Sequence, residues 1–478
     1  MLIRQIVDEK LAQNAYLIGC QRTGDALLID PERDVDRYLA LAAREGLRVA
    51  AVAETHIHAD FLSGARELSA SVPGVVVYLS GEGGADWQYA WPAQDDVTVT
   101  LLHDGDIFTV GNIEIRAWHT PGHTPEHMTY VVTDRGGGAT TPVALVSGDF
   151  LFVNDLGRPD LLESAVGVTG SMQFAARQLY TSALGLAEVD DYVQVWPGHG
   201  AGSACGKALG AMPTSTVGYE RLTSPALHKV AEGEDEFVAF ILADQPEPPM
   251  YFAAMKRLNK LGPPVLGAVP TPPRLGAADL AARLALGELQ VVDTRSDRRQ
   301  FFAGHLPGSF HAPLTNAFPT VIGSMLDPEQ GIVLLIAEAC VDEAVRDLLR
   351  IGFDHVEGWA SLSALGDLQA DGRAMHRIPS IDFEELERRR RTTALSVLDV
   401  RSASEFAERH VPGAVNIAHT RLLGRLSELE RSGPLYVHCG TGVRAAAAAA
   451  LLARHGLEVV HVDGAFSAWQ PSASGVST

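Results

Sequence analysis

The stretch Val291-Val292-Asp293-Thr294-Arg295, with His305-Leu306-Pro307-Gly308-Ser309 behind it, returns as Val397-Leu398-Asp399-Val400-Arg401 and His410-Val411-Pro412-Gly413-Ala414. Asp293 and Asp399 stand 106 residues apart, and so do Gly358 and Gly464. A repeat of this length is one folding unit used twice. Each copy continues into a second apolar strand, a helix and a short strand that runs into glycine. That βα alternation predicts two α/β units, each a parallel sheet flanked by helices. The repeat occupies the C-terminal half and so divides the chain, as its 478 residues would suggest on length alone.

Proline marks the division. Asp244-Gln245-Pro246-Glu247-Pro248-Pro249 is followed by Gly262-Pro263-Pro264 and by Pro270-Thr271-Pro272-Pro273. Proline fixes φ and cannot donate to a ladder, so residues 246–273 read as a semi-rigid connector with a helical turn or two inside. The expected domains are then 1–245, 274–372 and 373–478. In the first, apolar strands at Ala15–Ile18, Ala26–Asp30, Val49–Val52 and Ile113–Ile115 alternate with polar turns, and Val35–Glu45 reads as a helix. Sheets covered by helices are expected.

Charge and composition limit the partners. Lys and Arg number 38 against 59 Asp and Glu, a net charge of −21, which disfavours nucleic acid and anionic membranes. No window reaches the roughly 20 apolar residues that span a bilayer. The first residues enter a strand-like alternation with no signal-peptide core. Four cysteines (Cys20, Cys205, Cys340, Cys439) make no disulfide framework, so a reducing cytoplasm is expected and a cysteine that matters acts as a thiol.

Metal-ligand residue types cluster in the first domain. They occur in Glu54-Thr55-His56-Ile57-His58-Ala59-Asp60-Phe61, Thr120-Pro121-Gly122-His123-Thr124-Pro125-Glu126-His127, Ser147-Gly148-Asp149-Phe150 and Pro197-Gly198-His199-Gly200, with Gly157-Arg158-Pro159-Asp160 among them. In an extended segment His-x-His sends both imidazoles to one side. His123, Asp149 and His199 each follow a small residue after an apolar run, where a strand gives way to a loop. For His56, His123 and Asp149 a metal centre is the reading. His103, His119, His228 and His305 read as ordinary surface or core histidines.

The order His-x-His-x-Asp, Pro-Gly-His-Thr, Gly-Asp, Pro-Gly-His resembles the metallo-β-lactamase superfamily over most of residues 1–245, which implies an αβ/βα sandwich. The dinuclear zinc hydrolases of that superfamily carry His directly after the Asp of the first motif; this chain has Phe61. A phenyl ring cannot ligate, so a water bridged by two metals is disfavoured. Two imidazoles and a carboxylate with open positions suit non-haem Fe(II) and O₂. Within the superfamily this set resembles the persulfide dioxygenases. By that resemblance His56, His123 and Asp149 hold one Fe(II) per chain, and Asp60 and His199 are remnants of the lost second position. His58 either hydrogen-bonds from behind or serves as a fourth ligand. Gly157–Leu162 and Gly198–Lys207 resemble bacterial persulfide dioxygenases fused to rhodanese. Arg158 would bind the anionic end of a thiol substrate. Lys207 either does the same or is a solvated surface residue. Cys205 either faces the iron channel and carries sulfur or is a small packing residue.

The repeat resembles rhodanese. In the second copy the strand Leu435–His438 runs into Cys439-Gly440-Thr441-Gly442-Val443-Arg444 and a helix from Ala445 to Arg454. The loop N–H groups and the helix N-terminus favour a thiolate or persulfide anion at Cys439. Glycines let the loop curl, and Arg444 binds an anionic acceptor or closes the loop. Four residues between Cys and Arg is the sulfurtransferase spacing; the phosphatase loop is one longer. In the first copy Cys340 lies 18 residues before Gly358, against 25 from Cys439 to Gly464, so its loop equivalent, Ala337-Glu338-Ala339, has no thiol. That copy is expected to be inactive.

These resemblances imply an α/β multidomain enzyme, a metallo-β-lactamase sandwich followed by two rhodanese-like domains. Its implied activity is Fe(II)-dependent oxidation of a low-molecular-weight thiol persulfide (of glutathione, coenzyme A or another thiol) by O₂ to sulfite and thiol. Sulfur transfer through Cys439 then gives thiosulfate, as in multidomain persulfide dioxygenase–sulfurtransferases of bacterial sulfide detoxification. Fusion would raise the sulfite concentration met by the second site. A homo-oligomer is implied too. The alternative is a zinc thioester hydrolase of glyoxalase II type fused to a sulfurtransferase.

Overall fold

The computed structural model describes residues 1–95, 97–164, 170–286 and 289–470; residues 471–478 of the last expected domain lie outside it. The chain forms two compact units. One comprises Met1–Val269 with Leu349–Gly352, the other Pro270–Leu348 and the residues from Phe353 onward. Among the described residues no helix is long and apolar enough to cross a membrane.

The first unit holds two six-stranded sheets. Strands β1 (Leu2–Asp8), β2 (Gln13–Cys20), β3 (Asp25–Ile29), β4 (Arg48–Ala53), β5 (Val76–Ser80) and β6 (Val99–Leu102) follow chain order across one sheet. Strands β7 (Ile107–Val110), β8 (Ile113–His119), β9 (Met128–Asp134), β10 (Ala144–Gly148), β11 (Gln194–Pro197) and β12 (Ser215–Thr216) do so across the other. The sequence sets the layering through its period of two. Tyr16, Ile18, Leu27 and Ile29 pack with Tyr130, Val132, Ala144 and Val146 in one core between the sheets. Their neighbours point the other way. Ala15, Leu17, Ala26 and Leu28 meet Tyr38 and Ala42 of the helix Asp36–Arg44, while Val131 and Leu145 meet Leu179 and Ala183 of the helix Ser171–Leu184. Strands apolar on both faces need cover on both, and the result is helix, sheet, sheet, helix. Each fully buried Leu, Ile or Phe contributes about 1.5–3 kcal/mol to this arrangement.

The Pro-rich stretch is more than a spacer. Its helix Phe252–Leu261 buries Phe252, Met255 and Asn259 within the first unit. Asn259 donates to the carbonyls of His58 (2.8 Å) and Phe61 (2.7 Å) and accepts from the Ser63 amide (2.8 Å), pinning the loop that follows β4. The prolines bound this helix without preventing it, because none falls inside it.

In the second unit the two repeats build related parallel sheets. The first has β13 (Leu289–Asp293), β14 (Phe310–His311), β15 (Gly331–Leu335) and β16 (Val356–Ala360) in the order β14-β13-β15-β16. The second has β17 (Ser380–Asp382), β18 (Ser396–Asp399), β19 (Val415–Asn416), β20 (Leu435–His438) and β21 (Val459–Asp463) in the order β17-β21-β20-β18-β19. The repeated Asp-x-Arg is an ion pair at the end of β13 and of β18: Arg295 Nη2 lies 2.7 Å from Asp293, and Arg401 Nη2 lies 2.6 Å from Asp399. The repeated histidines meet the carbonyl four residues earlier, His305 that of Phe301 and His410 that of Phe406, both at 2.9 Å.

Replacing Asn259 by Ala strands two buried carbonyls and one buried N–H. It should destabilise the first unit by about 1–3 kcal/mol, read as a lower midpoint of urea unfolding.

Candidate metal centre and sulfur-transfer loop

The site of the first unit is built on strand ends. His56, His58 and Asp60 follow β4, His123 lies between β8 and β9, Asp149 directly follows β10, and His199 comes two residues after β11. β10 and β11 are adjacent and parallel, so Asp149 and His199 leave the sheet at the same end of its strands. Gly148 makes the sharp exit possible. Its φ is +48°, and a β-carbon there would lie 2.7 Å from His127 Nε2.

His56, His123 and Asp149 each offer one ligand atom within 4.8 Å of the others, and all three are buried. His123 Nε2 lies 3.5 Å from Asp149 Oδ2. Their other ring nitrogens are committed, His56 Nδ1 to the Thr55 hydroxyl (3.0 Å) and His123 Nδ1 to the Arg158 carbonyl (3.0 Å). Such contacts fix the tautomer and leave Nε2 free to ligate. Burial keeps both imidazoles neutral: it pushes His56 far down and His123 to about 3, with the positive charge of Lys256 adding to the effect at His123. Burial also raises Asp149 to about 6. Neither carboxylate oxygen of Asp149 accepts a hydrogen bond among the described residues. Neutral imidazoles beside an unsatisfied buried carboxylate fit a divalent cation.

Two further groups flank this one. Asp60, His199 and Cys205 also place three donor atoms within 4.8 Å, all buried. His199 Nε2 is 3.3 Å from Asp60 and 3.4 Å from Asp149 Oδ1. Phe61 is fully buried with its ring 4.3 Å from that of His58 and supplies no ligand, while Cys205, read from the sequence as facing the iron channel or as a packing residue, stands as the third donor beside Asp60 and His199. Burial, with Asp60 and Asp149 adding, drives the Cys205 thiol well above its usual range, so it is a neutral S–H. His58 belongs to the other group. Its Nε2 lies 3.1 Å from Glu54 and 3.2 Å from Asp30, and these carboxylates raise it well above the usual imidazole range against the opposing effect of burial.

Arg158, expected to meet a substrate anion, and Lys207, read either so or as a solvated surface residue, both bond within the fold. Arg158 is 1% exposed, paired with Asp160 at 2.8 and 2.7 Å and bonded to the Ala204 carbonyl. Lys207 Nζ donates to the carbonyls of Phe240 (2.6 Å) and Ala243 (2.9 Å) at the end of the helix Glu234–Leu242. In each case the positive charge is already taken up internally. Sequence reasoning passed over His127, Asn259 and Lys256. His127 Nε2 accepts from the Asp149 amide at 3.0 Å. Lys256 Nζ lies 3.8 Å from the centre of the Trp87 ring, and burial brings it down to about 8. The second histidine of Pro-Gly-His-Thr-Pro-Glu-His was a usable signal for His127; the prolines hid the other two.

In the second unit Cys439 is 1% exposed and follows β20. Its sulfur accepts from the amides of Gly442 (3.2 Å) and Ala445 (3.4 Å), the latter in the first turn of the helix Val443–Arg454. Backbone N–H groups at a helix N-terminus stabilise negative charge on sulfur. Gly442 caps this helix at φ +85°. Arg444 is held by Glu405 through two bonds of 2.7 Å, and the hydrogen bond from Arg444 is what draws the Glu405 carboxyl down to about 2. In the first repeat Glu338–Cys340 form a short 3-10 turn and Cys340 is half-buried.

Gly198 offers a direct probe of the metal site, because a methyl group there would stand 2.6 Å from Asp149 Oδ1. Gly198→Ala should fold but lose about ten- to a hundred-fold in metal affinity, measured by chelator competition.

Two family models match the chain: the metallo-beta-lactamase superfamily over residues 9–199 and the rhodanese-like domain over residues 382–472. The bovine (Bos taurus) persulfide dioxygenase ETHE1, mitochondrial, is 32% identical over 164 residues, covering 34% of this chain and 56% of the relative. A cytoplasmic hydroxyacylglutathione hydrolase of Arabidopsis thaliana is 32% identical over 189 residues, covering 39% of this chain and 62% of the relative. The chain thus spans little more than half the length of these curated relatives. The crystal structure of a metallo-beta-lactamase from Staphylococcus aureus is 37% identical with a TM-score of 0.66, covering 76% of this chain and 99% of that one. Fold, strand-end ligands and matches agree that the chain belongs to the metallo-β-lactamase superfamily and joins that domain to a C-terminal rhodanese-like one.

Proposed function

We propose that the chain oxidises a low-molecular-weight thiol persulfide in its first unit and transfers sulfane sulfur through Cys439 in its second. The observation that carries the first part is the buried His56–His123–Asp149 set, three donor atoms within 4.8 Å of one another. A single Fe(II) bound there would supply the one-electron chemistry that lets O₂ react with sulfane sulfur. The overall change balances as persulfide, O₂ and water giving thiol and sulfite. The surrounding residues exclude bulk water and orient the ligands. Thr55 and the Arg158 carbonyl fix the two imidazoles, and His127 holds the Asp149 backbone. Cys205, as a neutral thiol, adds no charge beside the substrate.

In the second unit the Cys439 thiolate attacks the outer sulfur of a second persulfide. A new S–S bond forms as the old one breaks, and the original thiol leaves. The sulfur lone pair of sulfite then attacks the outer sulfur on Cys439, the thiolate is restored and thiosulfate departs. The Gly442 and Ala445 amides bind the sulfur throughout, and Arg444, aimed by Glu405, meets the incoming sulfite. The proposed division of labour is residues 1–245 for oxidation, 274–372 for an inactive repeat and 373–478 for transfer, with 246–273 as the connecting stretch. A cytoplasmic homo-oligomer using glutathione or coenzyme A persulfide completes the proposal.

One observation favours a second reading. Asp60, His199 and Cys205 would accept another cation beside the first, and two zinc ions would activate water for thioester hydrolysis. Oxygen-electrode assay of the iron-loaded chain on glutathione persulfide separates the two. O₂ uptake with thiosulfate as product is expected. Cys439→Ser should still take up O₂ but accumulate sulfite, whereas His123→Ala should lose O₂ uptake and keep sulfur transfer from thiosulfate to cyanide. Hydrolysis of S-lactoylglutathione without O₂ uptake would establish the second reading.

A further inference from the structure

The first repeat lacks a loop cysteine, yet it places a side chain on the loop of the second. Arg298 opens the helix Arg298–Ala303, just after β13. Its Nη2 donates to the Thr441 carbonyl at 3.2 Å, and Nε and Nη2 reach Asp463 Oδ1 at 3.1 and 2.5 Å. The Thr441 carbonyl and the Gly442 N–H are the two ends of one peptide plane. The N–H end is the donor that lies 3.2 Å from the Cys439 sulfur. Arg298 therefore grips the outside of the same peptide that holds the reactive sulfur on the inside.

The next peptide is treated alike. The Gly442 carbonyl lies 3.0 Å from His461 Nε2, and His461 Nδ1 lies 3.0 Å from the Ser380 hydroxyl. Burial lowers His461 to about 4, so the ring is neutral; Nε2 donates to the carbonyl and Nδ1 accepts from Ser380. Phe302, also of the first repeat, sits 4.6 Å from the His461 ring. The fit around Gly442 is close: a β-carbon there would lie 2.5 Å from Asp463 Oδ1 and 3.0 Å from Arg298 Nη2.

We propose that Arg298, supplied by the first repeat, is a positioning residue for sulfur transfer at Cys439, orienting and polarising the Thr441–Gly442 peptide toward the sulfur. A guanidinium on the carbonyl makes a charge-assisted hydrogen bond and draws electron density along the peptide, so the N–H at its other end donates more strongly. Arg444 belongs to the loop itself and is aimed at Glu405 rather than at the Thr441 carbonyl, so it does not replace this contact. The first repeat then has a task that needs no thiol of its own: it completes the sulfur cradle of its neighbour.

The proposal rests on Cys439 being the sulfur carrier, and the test keeps the two claims apart. Alkylation of Cys439 by iodoacetamide in the full chain, resolved by peptide mass spectrometry, is measured beside thiosulfate-to-cyanide transfer. Arg298→Ala should slow Cys439 alkylation and lower kcat by about three- to ten-fold, with KM for thiosulfate within about two-fold and Cys340 alkylation unchanged. Arg298→Met, which keeps the aliphatic stem, should behave as Arg298→Ala and covers the case in which Ala fails to fold. Arg298→Lys should recover at least about half of the lost rate, because an ammonium still donates to the carbonyl. Wild-type alkylation and turnover in the variants lacking a donor, or a loss confined to KM, would overturn the role of Arg298. A wild-type chain with no transfer activity would overturn the carrier reading instead, and the alkylation rates would still decide the role of Arg298.

Discussion

Buried carboxylates and neutral imidazoles drawn together at strand ends govern the first unit. Burial pushes Asp60 and Asp149 each up to about 6, and it pushes His56 and His123 down so that both rings are neutral. Isolated buried charge is costly, so groups of this kind persist where a metal resolves them. Much of the surrounding structure serves to hold them. β10 and β11 run parallel and deliver Asp149 and His199 at the same strand end of the sheet, Thr55 and the Arg158 carbonyl orient the rings, and Asn259 ties down the loop carrying His58 and Asp60. The sandwich puts these loops at strand ends, where function can vary without disturbing the core.

The architecture was legible because it rests on local and periodic signals. The Asp-x-Arg and His-x-Pro-Gly repeat marks equivalent turns of two parallel sheets, and the apolar runs Ala15–Ile18 and Ala26–Ile29 lie in β2 and β3, buried on both faces. His56, His123 and Asp149, which the structure brings together, stand in the sequence beside the glycine and threonine of strand-to-loop transitions. Long-range partners were not legible. Arg158 and Lys207 sit among glycines and look exposed, but Ala204 and the end of the helix Glu234–Leu242 take up their donors. Cys205 was legible as facing the iron channel or packing, but not as a donor beside Asp60 and His199, because a lone cysteine carries no spacing pattern. Lys256 and Asn259 lay in a stretch whose prolines suggested a spacer, although the prolines flank the helix rather than interrupt it.

The second unit shows how few residues two related sheets need to share. Both repeats keep the Asp–Arg pair and the histidine-capped turn, which are structural. Only the second keeps the loop in which Gly442 at φ +85° turns an amide toward sulfur. The carbonyl of the peptide whose amide meets that sulfur is bonded from the first repeat, through Arg298.

The nature of the first site turns on whether Phe61 leaves it with one cation or Cys205 restores a second. Elemental analysis of the full chain, purified without added metal and again after separate loading with iron and with zinc, decides this directly. One tightly held iron per chain, with no second cation surviving dialysis, is the expected result. Two cations per chain, retained together and about 3.5 Å apart in anomalous density, would contradict a mononuclear dioxygenase centre.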